Sequence, residues 1–385
     1  MLGNRIAAMF PSGHLFDTPC IPNLVVHIAK QGIDVDLYSA FNSATPTGDF
    51  KNHGNVWHHL FPWTQRRAKE NIAILSIVFF IWSWYKLSKK DNQILLAVGV
   101  RGLILVGFLA IFLRKKYIYY SLEIYDQEHR GGFLFKLFKW LEIYFHKKAV
   151  ATVIQDDVRG ALISDLNRVE RESVLVFPNA PYGDTDCEDN QELSAKIFEK
   201  VNLSDTKLIL ASGSLSAKWA GIESLILVAS EFPENCLFFL QSRQDVRKTL
   251  KFDVDDKKVF VSTSPLSVEQ YNSLVCESHV CIAIYESSDR NIQYVGLSSG
   301  KLAHYLSCGK PIIVNRIPLW ADLVDKYKCG VVVDDYSEIP NAIQRINFEY
   351  DLYVEGAKKV YAEYFNMDEY ASNIASEISK LMRYS

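Results

Sequence analysis

Residues 296–314, GLSSGKLAHYLSCGKPIIV, carry the pattern best suited to chemistry. Small residues precede an amphipathic helix, Gly-Lys-Pro stops it, and an apolar strand follows. The backbone N–H groups of Ser298, Ser299 and Gly300 fall at the helix start, where donors lack intrahelical partners and the macrodipole favours negative charge. Lys301 adds a full positive charge in the first turn, an unfavourable place unless an anion sits beside it. Leu302, Ala303 and Leu306 give the helix a buried face, Gly309 suits a left-handed cap, and Pro311 blocks continuation into Ile312, Ile313 and Val314. Two readings stay open: a cradle for a diphosphate, or a plain helix start with a solvated lysine.

Such a segment needs a frame. At 385 residues the chain exceeds the usual single-domain size, which predicts two domains with separate cores. A composition of 49% hydrophobic and 23% charged residues excludes disorder. The net charge of -3 is unevenly spread: residues 66–148 hold 15 Lys+Arg against 6 Asp+Glu, and the remainder 27 against 39. One region is therefore basic and the rest acidic. Seven cysteines without a C-x-x-C pair or a Cys/His cluster predict free thiols in a reducing compartment, and no metal. The start, Met1-Leu2-Gly3-Asn4-Arg5, shows no charged-then-apolar leader, so a cytoplasmic protein is expected.

The elements alternate. Residues 6–10 read as a strand, Pro11-Ser12-Gly13-His14 as a loop, the stretch to Lys30 as a helix and 35–38 as a second strand. Strands at 94–99, 117–121, 151–154 and 174–177 complete a parallel α/β sheet. No G-x-G-x-x-G follows the first strand, which argues against a dinucleotide dehydrogenase. A second series follows at 207–211, 236–241, 258–261, 280–285, 311–314 and 330–333. The expected fold class is α/β, with two Rossmann-like doubly wound domains facing a ligand cleft. The expected boundaries are an acceptor-binding domain at 1–183, a linker at 184–205, a donor domain at 206–350, and helices at 351–385 that pack back on the first domain. Tyr370, Ile374, Ile378, Leu381 and Met382 mark the last helix.

At this point the chain resembles the GT-B glycosyltransferases, in particular their family-four group of nucleotide-sugar enzymes. The resemblance spans essentially the whole length. It rests on FPNAP (177–181) as the turn closing the first domain, GSLSAKWAGIESLI (213–226) as the phosphate-side loop and helix, and GKLAHYLSCGKPIIV as the donor helix. Retaining members usually carry two glutamates eight residues apart, and Gly309 and Pro311 align those positions with Gly296 and His304. Both glutamates are missing. The usual arginine of the first loop is Ser214, with Lys218 and Trp219 near the place of the following lysine. A Ser-x-x-Lys turn, as in some relatives, fits Ser298 to Lys301.

The resemblance implies roles. Lys301 neutralises the leaving β-phosphate with help from Lys218, and Ser298, Ser299 and Gly300 hold the diphosphate. His304 takes the ribose hydroxyls through a ring nitrogen. Gly13 and Ser214 lie on small loops that admit the donor, and Thr263 and Leu266 grip the base. Glu123, at a strand end, holds the acceptor or serves as general base if the enzyme inverts. His14, His129 and Arg130 line the acceptor channel. For Gly13 an ordinary tight turn, and for Glu123 a surface salt bridge, are equally open readings.

The basic region has an amphipathic logic. Leu134, Leu137, Phe138, Leu141 and Phe145 fall at helical spacing, flanked by Lys136, Lys139, Lys147 and Lys148, which suits peripheral contact with anionic lipid. The apolar run 72–87 is too short to span a bilayer and reads as a core helix. No nucleic-acid motif accompanies the charge. The expectation is a glycosyltransferase of hexosyl type, retaining and metal-independent, without a cofactor. It moves a sugar from a nucleoside-diphosphate donor to a glycan or lipid-linked acceptor in surface polysaccharide assembly, on the inner face of the cytoplasmic membrane. The alternatives are a non-catalytic GT-B partner protein, motivated by positions 296 and 304, and a nucleotide-sugar epimerase on the same fold.

Overall fold

The computed structural model describes residues 4–15, 18–41, 50, 52–62, 72–90, 93–125, 132–183, 185, 187, 206–215, 217–242, 244–250, 252, 254–255, 257–286 and 289–383. His129, Arg130 and nearly all of the expected linker 184–205 lie outside them. The chain forms two compact units: Met1–Tyr182 together with Asn366–Ser385, and Gly183–Phe365.

In the first unit seven parallel strands are ordered β3-β2-β1-β4-β5-β6-β7. They are β1 (Arg5–His14), β2 (Asp34–Phe41), β3 (Val56–Leu60), β4 (Gln93–Val98), β5 (Tyr117–Tyr120), β6 (Ala151–Ile154) and β7 (Val174–Val176). Both faces are covered, so the central strands are apolar throughout: Ile6, Ala7, Ala8, Met9, Leu95 and Ala97 are all buried. The covering helices are α1 (Cys20–Lys30), α2 (Ile72–Leu87), α3 (Gly99–Leu113), α4 (Phe133–His146) and α5 (Asp157–Asn167). Asp36, buried on β2, is held by His59, Lys90 and Arg5. Burial pushes its carboxyl pKa up, but the hydrogen bonds from His59 and Lys90 outweigh this and hold it at about 2.

Three expectations change here. Residues 11–14 are not a loop, because β1 runs on to His14 with a register shift against β2 after Phe10. Strand β3 was not foreseen. The helix α2 is only half core: Phe79 and Leu87 are buried, whereas Ile77, Ile81, Trp84 and Tyr85 are exposed.

Helix α4 keeps Leu134, Leu137 and Phe138 outward, as its amphipathic pattern predicts, but buries Phe145 and one of the flanking lysines. Its polar side faces inward: Lys139, expected on the surface, is 3% exposed, with Nζ 3.0 Å from Glu142 Oε2 and 2.7 Å from Asn167 Oδ1. Asn167 Nδ2 donates to His146 Nδ1 at 2.8 Å, and His146 Nε2 donates to Thr152 Oγ1 at 2.7 Å. Burial lowers the His146 pKa to about 3, so the ring is neutral in this network. Phe145 packs directly on the backbone of α3 at Gly107, where an added Cβ would stand 2.1 Å from the Phe145 ring. Phe133, Leu134, Leu137, Phe138, Trp140 and Tyr144 point to solvent, Phe133 being 81% exposed.

The second unit holds six parallel strands ordered β10-β9-β8-β11-β12-β13. These are β8 (Lys207–Ser212), β9 (Cys236–Gln241), β10 (Val259–Ser262), β11 (Val280–Ala283), β12 (Ile312–Asn315) and β13 (Gly330–Val333). Its helices are α6 (Ile222–Val228), α7 (Val268–Glu277), α8 (Arg290–Gln293), α9 (Gly300–Ser307), α10 (Trp320–Tyr327), α11 (Ile339–Phe348) and α12 (Tyr350–Tyr364). The order reverses between β8 and β11, and such a switch point leaves a crevice beyond the strand ends.

The last helix, α13 (Met367–Arg383), belongs to the first unit and packs on α1. His27 Nδ1 and Asp368 Oδ1 lie 2.6 Å apart there. Helix α12 stays with the second unit, so the return begins at 366 rather than at the predicted 351. The expectation of free thiols fails as well: Cys187 and Cys276 form a disulfide, while Cys20, Cys236, Cys281, Cys308 and Cys329 are free. Among the described residues no helix is long and apolar enough to cross a membrane.

Candidate functional site

The donor segment begins in a 3-10 turn at Gly296–Ser298 and enters α9 through Ser299 as N-cap. Gly296 has φ +41°, a conformation that favours glycine, and its carbonyl accepts from Trp320 Nε1 at 2.8 Å. Ser299 Oγ accepts from Leu302 N–H at 3.3 Å and lies 2.5 Å from Tyr285 Oη. The turn consumes two of the three expected anion donors: Ser298 N–H bonds Val295 O at 2.9 Å and Ser299 N–H bonds Gly296 O at 3.3 Å. The N–H groups without an acceptor among the described residues are those of Gly300 and Lys301. The free donors therefore lie one residue further into the helix than the spacing implied.

Lys301 is half-buried, and its ammonium lies over two aromatic rings, 4.5 Å from the centroid of Tyr285 and 5.7 Å from that of Trp219. Those rings stack with centroids 5.6 Å apart and planes 8° off parallel. No carboxylate among the described residues pairs with it, and burial alone lowers its pKa to about 8. The rings are fixed from behind. Asn315, at the end of β12, takes the Tyr285 N–H on Oδ1 at 3.0 Å and gives Nδ2 to the Tyr285 carbonyl at 2.8 Å. Glu286 N–H bonds Trp219 O at 2.7 Å, joining the turn after β8 to the loop after β11. The stacked pair and Lys301 thus sit at the switch point of the sheet.

His304 is buried, and burial lowers its pKa to about 4, so the ring is neutral. Its Nε2 donates to Asn272 Oδ1 at 3.0 Å, which leaves Nδ1 as the acceptor. Beneath the helix, Ser212 Oγ lies 2.6 Å from Tyr271 Oη and 2.7 Å from Tyr305 Oη, tying α7 and α9 to the end of β8. Gly213, at φ +104°, turns the chain sharply there, and Ser214 and Lys218 are exposed on the loop it opens. Thr263 and Leu266 follow β10, beside Ser264, whose carbonyl accepts from Gln241 Nε2 at 2.9 Å. Gln241 Oε1 is buried with no partner among the described residues.

On the first unit Glu123 is exposed, and Tyr125 Oη donates to its Oε2 at 3.0 Å. It makes no salt bridge among the described residues. The loop before it is held by a buried arginine: Arg159 Nε donates to Gln155 Oε1 at 2.8 Å, Gln155 Nε2 to Ser121 O at 2.7 Å, and Arg159 Nη2 to Leu122 O at 3.4 Å. Gly13 and His14 end strand β1. Sequence reasoning did not single out Tyr285, Asn315, Asn272, Gln241 or Arg159. Tyr285 lay inside an apolar run that reads as core, and the others gain significance only from partners far along the chain.

Residues 285–376, which include α9, match the family described as the glucosyltransferase 3-like, C-terminal domain. No curated protein matches the chain. Solved structures do: HepE of Anabaena in complex with UDP and glucose aligns with TM-score 0.71 at 13% identity, over 98% of this chain and 100% of that one. Sucrose-phosphate synthase from Thermosynechococcus elongatus aligns with TM-score 0.67 at 14% identity, over 99% and 100%. A UDP-N-acetylglucosamine 2-epimerase aligns with TM-score 0.61 at 13% identity, over 100% and 98%. The fold is that of the GT-B glycosyltransferases.

Proposed function

We propose that the chain is a glycosyltransferase that takes a nucleoside-diphosphate sugar on its second unit and passes the sugar to a glycan or lipid-linked acceptor. The observation that carries this is the Lys301 ammonium, lying over the Trp219 and Tyr285 rings with no carboxylate partner among the described residues. Removing an ammonium from water costs several kcal/mol, and ring faces return only about 2 kcal/mol. A diphosphate beside Lys301 and the Gly300 and Lys301 N–H groups supplies the missing charge. The matched family and the nucleotide-sugar proteins among the structural neighbours support the same reading.

In this reading the bond from the anomeric carbon to the β-phosphate oxygen breaks, and its electron pair stays on the diphosphate. Lys301 and the start of α9 stabilise that growing charge, so the leaving group departs without a metal ion. His304 Nδ1 accepts a ribose hydroxyl, and Gln241 Oε1 accepts an N–H of the base beside Thr263 and Leu266. On the first unit Glu123 holds an acceptor hydroxyl. We assign retention of configuration to the transfer, following the family resemblance. The outward apolar faces of α2, α3 and α4, with Lys86, Lys89, Lys136, Lys147 and Lys148 on the same helices and their ends, suit an anionic membrane surface. That surface fits a lipid-linked acceptor and a place on the inner leaflet.

Gly296 favours a second reading, a GT-B protein that binds donor but supports another transferase, because no side chain at that position can touch the sugar. Purified protein offered UDP, GDP, TDP and CMP sugars separates the possibilities. One nucleotide class is expected to raise the melting temperature by several degrees, since ligand at a hundredfold its Kd adds about 2.7 kcal/mol. Release of free nucleotide with an acceptor extract is expected alongside it. A shift without turnover selects the supporting role, a product of unchanged mass selects an epimerase, and no shift with any class removes the donor site altogether.

A further inference from the structure

Three cysteines distant in sequence converge at the far end of the donor helix. Cys187 and Cys276 are 89 residues apart and disulfide-bonded, and Cys308 caps the C-terminus of α9. The three sulfurs all lie within 4.8 Å of one another. Cys187 follows the first unit's last strand in sequence, Cys276 lies in the last turn of α7, and Cys308 is half-buried between them. Cys308 Sγ also lies 3.3 Å from Asn272 Oδ1, the oxygen that accepts from His304 Nε2. The cluster and the candidate ribose ligand therefore share one amide oxygen.

We propose that Cys187, Cys276 and Cys308 form a redox-gated trithiolate site for one thiophilic d10 ion, Zn2+ or Cu+. Thiolates at the usual zinc–sulfur distance of about 2.3 Å stand about 4 Å from each other around a shared ion, which fits this spacing. A dithiol reductant opens the Cys187–Cys276 bond: two electrons and two protons pass to the two sulfurs, and the reductant leaves as its own disulfide. The ion then binds the three sulfurs and displaces three protons. When a disulfide oxidant rejoins Cys187 and Cys276, it takes the two electrons and the site loses two of its three ligands. The ion is released. This site does not depend on the donor assignment, since it rests on the sulfurs alone.

The test uses the full chain reduced with a phosphine under argon, desalted, and dialysed against Zn2+ or the spectroscopic probe Co2+. About one ion per chain is expected, with a thiolate charge-transfer band in the near ultraviolet for Co2+. The oxidised chain is expected to bind none. Cys308→Ser is expected to weaken binding at least about tenfold, whereas Cys20→Ala, in the other unit, leaves it unchanged. X-ray absorption on the zinc form of the unmutated protein is expected to count three sulfur neighbours, a readout that stands even if a variant fails to fold. No uptake by the reduced chain, equal uptake by the oxidised chain, or fewer than three sulfurs overturns the proposal.

Discussion

Lys301 is caught between two demands. In the proposed reading its ammonium costs stability without a ligand and supplies the charge a bound diphosphate calls for. Its pKa of about 8 sets the pH window: the lysine is protonated below it and neutral above it. Nucleotide affinity is therefore expected to be flat from pH 6.5 to 8 and to fall about tenfold per unit beyond, as a calorimetric titration series would record. A flat profile to pH 10 would remove Lys301 from the phosphate site. Lys301→Met is expected to melt at a higher temperature than the unmodified chain and to bind nucleotide about a hundredfold more weakly. The lysine was legible in the sequence because a first-turn cation has no reason to be there in a free-standing helix. The rings that hold it were not, since the stacking of Tyr285 on Trp219 depends on the ends of two different strands meeting.

Among the elements, α4 shows a helix whose outward apolar face was legible in the periodicity and whose buried polar side was not. Apolar residues at helical spacing normally turn inward, but here the buried side carries Lys139, Glu142 and His146 around Asn167, with Phe145 as its apolar anchor. Removing one partner of such a pair strands a buried charge. Lys139→Ala is expected to cost about 3–5 kcal/mol in urea unfolding, while the double change Lys139→Met with Glu142→Leu costs much less. A loss below about 1 kcal/mol for the single variant would mean that water reaches the pair. The strands were largely readable, because parallel strands buried on both faces leave unbroken apolar runs such as 236–240 and 280–283. Strand β3 was not, since an edge strand containing His58 and His59 carries no such run. Residues 11–14 misled because Pro, Ser and Gly usually mark a turn, whereas β1 continues through them with a shifted register.

At the scale of the molecule, the outward apolar residues of α2, α3 and α4 are one surface. Phe80 of α2 meets Phe112 of α3 with centroids 6.4 Å apart, and Phe108 of α3 meets Phe145 of α4 at 4.9 Å, so the exposed residues of all three helices adjoin. Vesicles with about a third anionic lipid are expected to float the protein, and salt to weaken binding without abolishing it, because apolar insertion survives screening. The triple variant Phe133→Ser, Leu134→Ser, Trp140→Ser is expected to lose at least tenfold in partition while keeping its melting temperature. Equal flotation of the variant would direct attention to a protein partner for this face. The cysteine pairing was invisible in the sequence, because Cys187 and Cys276 meet only through the fold of the second unit.

The placement of α13 on α1 makes the second unit an insertion in the sequence of the first. During synthesis all of Gly183–Phe365 emerges before the helix that completes the first unit, so the inserted unit can finish folding while the apolar side of α1 still lies bare. A chaperone or a membrane surface has its best access to the nascent protein in that interval. For the same reason, cutting the chain after 365 does not yield two independent halves: it leaves one complete body and one with an open seam.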